Sequence, residues 1–423
     1  MDKLLIQGGT PLKGTIRVSG SKNGTLPLMA AAILCHEKVT LRNVPNLTDV
    51  RHMGSALEYA GMKTEFLDST ITVETADPSK IHIPYEVSQM MRASIAFIGP
   101  LLAKRGKAEV SLPGGCVIGT RPVDLHLKGL SALGVDIRIT RGIISAKAGS
   151  MKGAHIYLGG SHGSSVLATA NVMMAASKAE GRTVIEHAAC EPEIVELSLF
   201  LKELGVHIEG AGSHCLIVEG VKEYEEKEID FTVLPDRIEA GTLMAMGSLP
   251  GSELTIQNAP RLHLGAVADK LESADVTFEW QAGSCKVIPP SSFRSVDVTT
   301  LPYPGFPTDL QAQMMAVLST ASENSTITEK VYPDRFMHIG EFNRMGARIR
   351  KEGNTAFITG VDSLSGTRVR ASDLRASAGL LIAGLMADNE TEVLDIHHLD
   401  RGYDNLDKKL NSVGACIERM KDV

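Results

Sequence analysis

Ala56-Leu57-Glu58-Tyr59-Ala60-Gly61-Met62-Lys63-Thr64-Glu65-Phe66 reads as the end of an amphipathic helix, a left-handed glycine cap and the start of a strand. The same grammar returns as Leu133-Gly134-Val135-Asp136-Ile137, Leu204-Gly205-Val206-His207-Ile208, Ser273-Ala274-Asp275-Val276-Thr277-Phe278, Met345-Gly346-Ala347-Arg348-Ile349 and Val413-Gly414-Ala415-Cys416-Ile417. The recurrence, every seventy residues or so, marks six copies of one α/β unit, with Ala274 standing where glycine is expected.

A second segment interleaves with the first. Residues 26–34, 90–102, 166–177, 238–249, 310–318 and 374–386 are apolar nearly all round, so each reads as a helix buried on every side, with sheets and amphipathic helices packed around it. Three such helices per domain give two similar domains, which suits a chain of 423 residues. The helix starts carry Ser21, Ser88, Ser164, Asp236, Thr308 and Ser372, side chains able to cap the free N–H groups of a first turn. They also carry Lys22, Arg92, Arg237, Asp309 and Arg375, and their recurrence in equivalent places points to a shared cleft that takes anions.

Hydrophobic residues make up 43% and charged residues 22%, the usage of an ordinary globular enzyme, and a net charge of −7 argues against a nucleic-acid or membrane-surface binder. Met1 to Thr10 has no basic region followed by a long apolar run, so the expectation is a cytoplasmic protein without a signal peptide or membrane span. Cys35, Cys116, Cys190, Cys215, Cys285 and Cys416 show no CxxC or Cys/His spacing, which reads as reduced thiols and no zinc.

Two stretches carry reactive groups. Pro113-Gly114-Gly115-Cys116-Val117-Ile118-Gly119-Thr120-Arg121-Pro122 is a glycine-rich loop longer than its counterparts, and a thiol five residues from an arginine suits either proton donation or nucleophilic attack. Asp309 begins a helix, where it is either an early-turn acid favoured by the dipole or a general base facing an acceptor hydroxyl; spacing alone leaves both open. His397, His398, Asp400 and Arg401 look metal-like, yet no matching ligand set is nearby, and Arg401 reads better as an anion contact.

At these residues the chain closely resembles the UDP-N-acetylglucosamine 1-carboxyvinyltransferases, a family of enolpyruvyl transferases. The resemblance covers essentially the whole length. It rests on residues 19–23, on Met91-Arg92-Ala93-Ser94, on the cysteine loop through His126, and on residues 234–239, 306–313, 334–338, 371–377 and 400–403. It implies a two-domain inside-out α/β barrel of six βαβαββ units, three per domain. One domain would span 21–233, the other 1–20 plus 234–423, with the active site in the cleft between them.

The implied reaction moves the enolpyruvyl group of phosphoenolpyruvate to the 3'-hydroxyl of UDP-N-acetylglucosamine, opening peptidoglycan precursor synthesis, with no metal or redox cofactor. By the same resemblance, Cys116 donates a proton to the methylene carbon, Asp309 takes the hydroxyl proton, and Lys22, Arg121 and Arg401 hold phosphate and carboxylate. Asn23, Arg92, Pro122, Val123, Asp124, Leu125, Ser164, Ser165, Val166, Val331, Arg335, Asp373 and Arg375 complete the implied substrate contacts. Residues 162–169 depart from the family run Lys-x-Ser-Val-Gly-Ala-Thr, losing the lysine and placing Leu167 at the glycine, and Cys190 stands where the family is often basic. Those departures motivate a second reading, a different nucleotide or sugar acceptor; a non-catalytic paralogue that binds a sugar nucleotide is the third.

Overall fold

The computed structural model describes residues 2–113, 123–161 and 163–421; Cys116, Arg121, Pro122 and His162 lie outside the described residues. Six four-stranded sheets follow one pattern. In the second, His82–Ile83 runs parallel to Lys107–Ser111, which pairs antiparallel with Ile143–Ala148, itself antiparallel to Val135–Thr140. Helices connect the first strand to the second and the second to the third, and the last two form a hairpin, so the unit is βαβαββ.

The sheets divide equally between two compact units, one built from residues 20–113 and 123–234, the other from 2–19 and 235–421. Three sheets are completed by strands distant in sequence. Lys13–Arg17 lies parallel to Glu253–Gln257, Ile229–Thr232 lies parallel to Val39–Arg42, and Asp2–Gln7 inserts between Glu390–Leu394 and Cys416–Lys421.

The apolar segments are the inner helices: Lys22–Ala31 (α1), Ile98–Arg105 (α2), Val166–Ala176 (α3), Arg237–Gly247 (α4), Gln311–Leu318 (α5) and Leu374–Met386 (α6). All eight residues of α5 are buried, as is all of α4 beyond Arg237. Each Leu- or Met-sized side chain so buried contributes about 1.5–3 kcal/mol, and α5 alone supplies Met314, Met315 and Leu318. The outer helices are amphipathic instead: Thr48–Tyr59 buries Val50, Met53, Gly54 and Leu57 at helical spacing and exposes the opposite face.

Several local expectations are corrected. The helix expected over 90–102 is divided, with the tighter turn Arg92–Phe97 ahead of α2, which begins only at Ile98. The cause is Asn171 of α3, which inserts into the helical ladder: its amide donates to Ile95 O at 2.8 Å while its carbonyl accepts from Gly99 N at 2.6 Å. Ser21 and Asp236 cap α1 and α4, but α3 is capped by Ser165 rather than Ser164, and α6 by Asp373 rather than Ser372. Ser88 lies within its helical turn with no hydrogen bond from its hydroxyl, and the Thr308 hydroxyl is drawn away to Glu329. Gly61, Gly134, Gly205, Gly346 and Gly414 all have positive φ, and the fourth-copy equivalent is Asp275 at φ +70°, one residue beyond Ala274. A short polar side chain tolerates that conformation, so the glycine is replaced without losing the cap.

Candidate active site

In the unit of residues 2–19 and 235–421, four charged residues converge. Pro307 leads into a tight turn, Thr308–Leu310, that presents Asp309 ahead of α5. Arg335 Nη1 donates to Asp309 Oδ1 at 2.8 Å and to Thr308 Oγ1 at 3.2 Å, and its Nη2 lies 3.6 Å from Asp373 Oδ1. Arg375 Nε reaches Asp309 Oδ2 at 3.2 Å. Asp373 spends one oxygen on capping α6, accepting from the N–H groups of Arg375 and Ala376. Two carboxylates thus meet two guanidiniums, and the charge is balanced within the cluster.

Burial opposes the charge on Arg335, and Asp309 and Asp373 outweigh it, so the guanidinium stays ionised. Burial likewise opposes ionised Asp373, yet Arg335 and the capping N–H groups hold its carboxyl below the ordinary range. His338, buried between Phe336 and Phe342, is pushed down by that burial and stays neutral beside them. Glu329 braces the approach: it accepts from Thr300 and Thr308 and from the N–H groups of Val331 and Tyr332, which places Val331. Arg401 sits half-buried at the end of the turn Ile396–Arg401.

In the other unit, Lys22 opens α1 and pairs with Asp49 at 2.8 Å, both side chains under a tenth exposed. Asn23 follows it in the same first turn. Arg92 starts the turn that Asn171 interrupts, and the second amide proton of Asn171 points at His126 Nδ1, 3.0 Å away. Since that amide donates, Nδ1 accepts and the imidazole is neutral. Burial, aided by Arg92, pushes His126 down to about 3 and keeps it so. His126 belongs to the helix Asp124–Ala132, so this chain of bonds ties Val123, Asp124 and Leu125 to the Arg92 turn. Leu125 packs on Gly160, whose reciprocal backbone bonds with Gly163 lead into Ser164, Ser165 and Val166 at the head of α3.

The structure therefore gathers Asp309, Arg335, Asp373 and Arg375 in direct contact, and the 123–125 segment against the loop before α3. Asp49, Glu329, Asn171 and His126 were not singled out from sequence. Asp49, an acid in the first helical turn after Leu47, offered a faint signal; the other three act through partners far along the chain. Among the described residues no group of three or more His, Cys, Asp or Glu is placed to hold a metal ion.

Chains of known structure share this architecture. An enolpyruvyl transferase from Streptomyces tendae, NikO, superposes with a TM-score of 0.89 at 26% identity, covering 99% of this chain and 98% of its own. An EPSP synthase from Acinetobacter baumannii superposes at 0.76 over the full length of both, with 16% identity, a likeness of fold alone. The family model of EPSP synthase (3-phosphoshikimate 1-carboxyvinyltransferase) matches residues 6–410. Fold and sequence thus define an enolpyruvyl transferase, with the inside-out α/β architecture of that class.

Finer relationships follow from full-length relatives. The UDP-N-acetylglucosamine 1-carboxyvinyltransferase of Methylacidiphilum infernorum is 46% identical over 99% of both chains, and UDP-N-acetylglucosamine 1-carboxyvinyltransferase 2 of Carboxydothermus hydrogenoformans is 47% identical over the whole of both. The chain belongs to the UDP-N-acetylglucosamine 1-carboxyvinyltransferase family.

Proposed function

We infer that this protein transfers the enolpyruvyl group of phosphoenolpyruvate to the 3'-hydroxyl of UDP-N-acetylglucosamine and releases phosphate. The observation that carries this reading is full-length identity of 46–47% to relatives bearing that activity in their names. Placement in the cytoplasm, at the start of peptidoglycan precursor synthesis, belongs to the same reading; no described helix is long and apolar enough to cross a membrane.

In the proposed mechanism Cys116 delivers a proton to the methylene carbon of phosphoenolpyruvate, while the sugar hydroxyl oxygen bonds to the neighbouring carbon and yields its proton to Asp309. Expulsion of phosphate and loss of a methyl proton then regenerate the vinyl ether. Lys22, Arg121 and Arg401 would neutralise phosphate and carboxylate. A donor with several negative charges requires such preorganised cations. The remaining substrate contacts are proposed at Asn23, Arg92, Pro122 to Leu125, Ser164 to Val166, Val331, Arg335, Asp373 and Arg375.

Phosphate release is expected only when both substrates are present, and Cys116→Ala is expected to lose turnover. Release with phosphoenolpyruvate alone, or an alanine variant of normal rate, would remove this mechanism. A different acceptor is the second reading, favoured by Leu167 at the head of α3 where the family carries glycine. An acceptor screen with phosphoenolpyruvate as donor separates the two, since the first requires UDP-N-acetylglucosamine to have the highest kcat/KM.

A further inference from the structure

Arg375 is the largest fully buried side chain among the described residues; its Nε donates to Asp309, while neither terminal nitrogen forms a well-aligned hydrogen bond and the polar group they face is the Tyr403 hydroxyl. A long cationic side chain whose terminal nitrogens are not engaged by a carboxylate would gain by rotating to chelate the nearest one through two parallel bonds. Something holds it in the single-bond geometry. The guanidinium carbon lies 5.1 Å from the centroid of the Tyr403 ring, a cation over a π face.

The ring is itself fixed by its hydroxyl. Thr242 of α4 donates its one proton to Ile238 O at 2.9 Å, so its oxygen can only accept. The Tyr403 hydroxyl, 2.9 Å from that oxygen, is therefore the donor. Gln313 of α5 has two amide protons facing three acceptors, Tyr403 Oη at 3.0 Å, Thr242 Oγ1 at 3.1 Å and the carbonyl of Asp309 at 3.0 Å. One network thus joins the ring beneath Arg375 to the backbone of the residue that Arg375 grips. Every proton in it has an acceptor, and burial holds Tyr403 in its neutral form.

We propose that Tyr403, pinned by Gln313 and Thr242, is a positioning residue for the reaction: its ring keeps Arg375 on one Asp309 oxygen through a single bond and prevents a two-pronged ion pair that would blunt Asp309 as a base. The inference rests on the reading of Asp309 as acceptor of the hydroxyl proton. Among the described residues, the charged and titratable groups facing this carboxylate and its partners include Arg335, Arg375, Asp373, Asp236, Glu329, His338, His398 and Tyr403 itself.

The test is the pH dependence of kcat in Tyr403→Phe, Tyr403→Leu and Thr242→Val, with Asp309→Asn as reference. A freed Arg375 stabilises ionised Asp309, so the acid limb of the profile moves to lower pH while the plateau falls. The fall expected is about tenfold for the leucine variant and less for the other two, a fraction of the roughly 10²–10⁴ a general base supplies. KM for both substrates should change less than the plateau does. A loss of folded enzyme would scale the whole profile without moving it, and the phenylalanine and valine variants cover a leucine variant that fails to fold. If Asp309→Asn abolishes turnover and the acid limb stays put in folded Tyr403 and Thr242 variants, the positioning role is wrong while the base stands. If Asp309→Asn turns over normally, the reading beneath it fails first.

Discussion

Helices α1 and α4 begin alike and solve one shared problem differently. The chain passes from one unit to the other between Ser19 and Gly20 and again between Leu234 and Pro235, in each case two residues or fewer before a helix cap. Each passage leaves a backbone N–H to be satisfied away from any sheet, and in each a buried glutamate takes it: Glu239 Oε2 accepts from Ser19 N at 2.8 Å, Glu196 Oε1 from Leu234 N at 2.6 Å. Glu239 is the third residue of α4. The third residue of α1 is Gly24, and the space its missing side chain leaves is filled by Glu196, from the helix Pro192–Glu203. A Cβ on Gly24 would stand 2.1 Å from Glu196 Oε2. The partners of the two acids differ as well. Lys409 Nζ donates to Glu239 Oε1 and, at 2.6 Å, to Ser19 Oγ, whereas Glu196 Oε2 is buried with no hydrogen-bond partner. The backbone requirement is common to both, and burial raises both carboxyls; Glu239 has the Lys409 ammonium against it to offset that burial, whereas Glu196 has no counter-charge and keeps its proton.

Removing the cation should do the most damage. In Lys409→Met the buried Glu239 carboxyl, already raised by burial, loses the counter-charge that offsets it, and breaking such a pair costs about 3–5 kcal/mol. Urea unfolding at pH 7 is the measurement, and Lys409→Met/Glu239→Gln should recover most of the loss because glutamine still accepts from Ser19. A single variant within about 0.5 kcal/mol of the parent, the range of an ordinary surface change, would mean the lysine is incidental. Next comes Gly24→Ala, which drives a methyl into Glu196 and should cost about 1–3 kcal/mol, the range for overpacking a filled site. Glu196→Ala in the same chain makes room for it, so a double-mutant cycle should show favourable coupling of about 1 kcal/mol or more. Additive effects would separate the glycine from the glutamate.

Little of this contrast could be read from the chain, although the repeat that frames it could. Inner helices and glycine caps announce themselves through local periodicity, and a sixfold pattern averages out single exceptions such as Asp275. Helix starts were legible to within a residue at α3 and α6, where Ser165 and Asp373 cap in place of their neighbours Ser164 and Ser372. Thr308 escaped because a glutamate twenty-one residues on competes for its hydroxyl. Asp309 and Arg375 are marked by their place at helix starts, and Arg335 and Asp373 only through family resemblance; the contacts among the four depend on a fold that brings 309 to 335 and 375. Glu196 gave no signal at all. An acid in the middle of an amphipathic helix looks like solvent-facing polarity until the glycine it packs on is known.

The proton on Glu196 offers the subtlest test. Burial, with the nearby Glu193 adding to it, pushes this carboxyl up to about 8 against an ordinary 4.5, and the bond from Leu234 only partly offsets that. Below pH 4.5 both folded and unfolded chains hold the proton, so the group contributes nothing to the pH dependence. From there to about pH 8 the unfolded chain releases it while the folded chain retains it, so this group lowers stability as pH rises, and the loss is complete above 8. Glutamine keeps the acceptor for Leu234 without a proton to lose. Glu196→Gln should therefore melt with the parent at pH 4.5 and progressively above it towards pH 8, by about 2–4 °C for each kcal/mol recovered. Other carboxylates titrate in both proteins and cancel in the difference. Parallel melting curves across that window would show that Glu196 ionises normally, and the two passages would then differ in where the acid comes from but not in how its charge is handled.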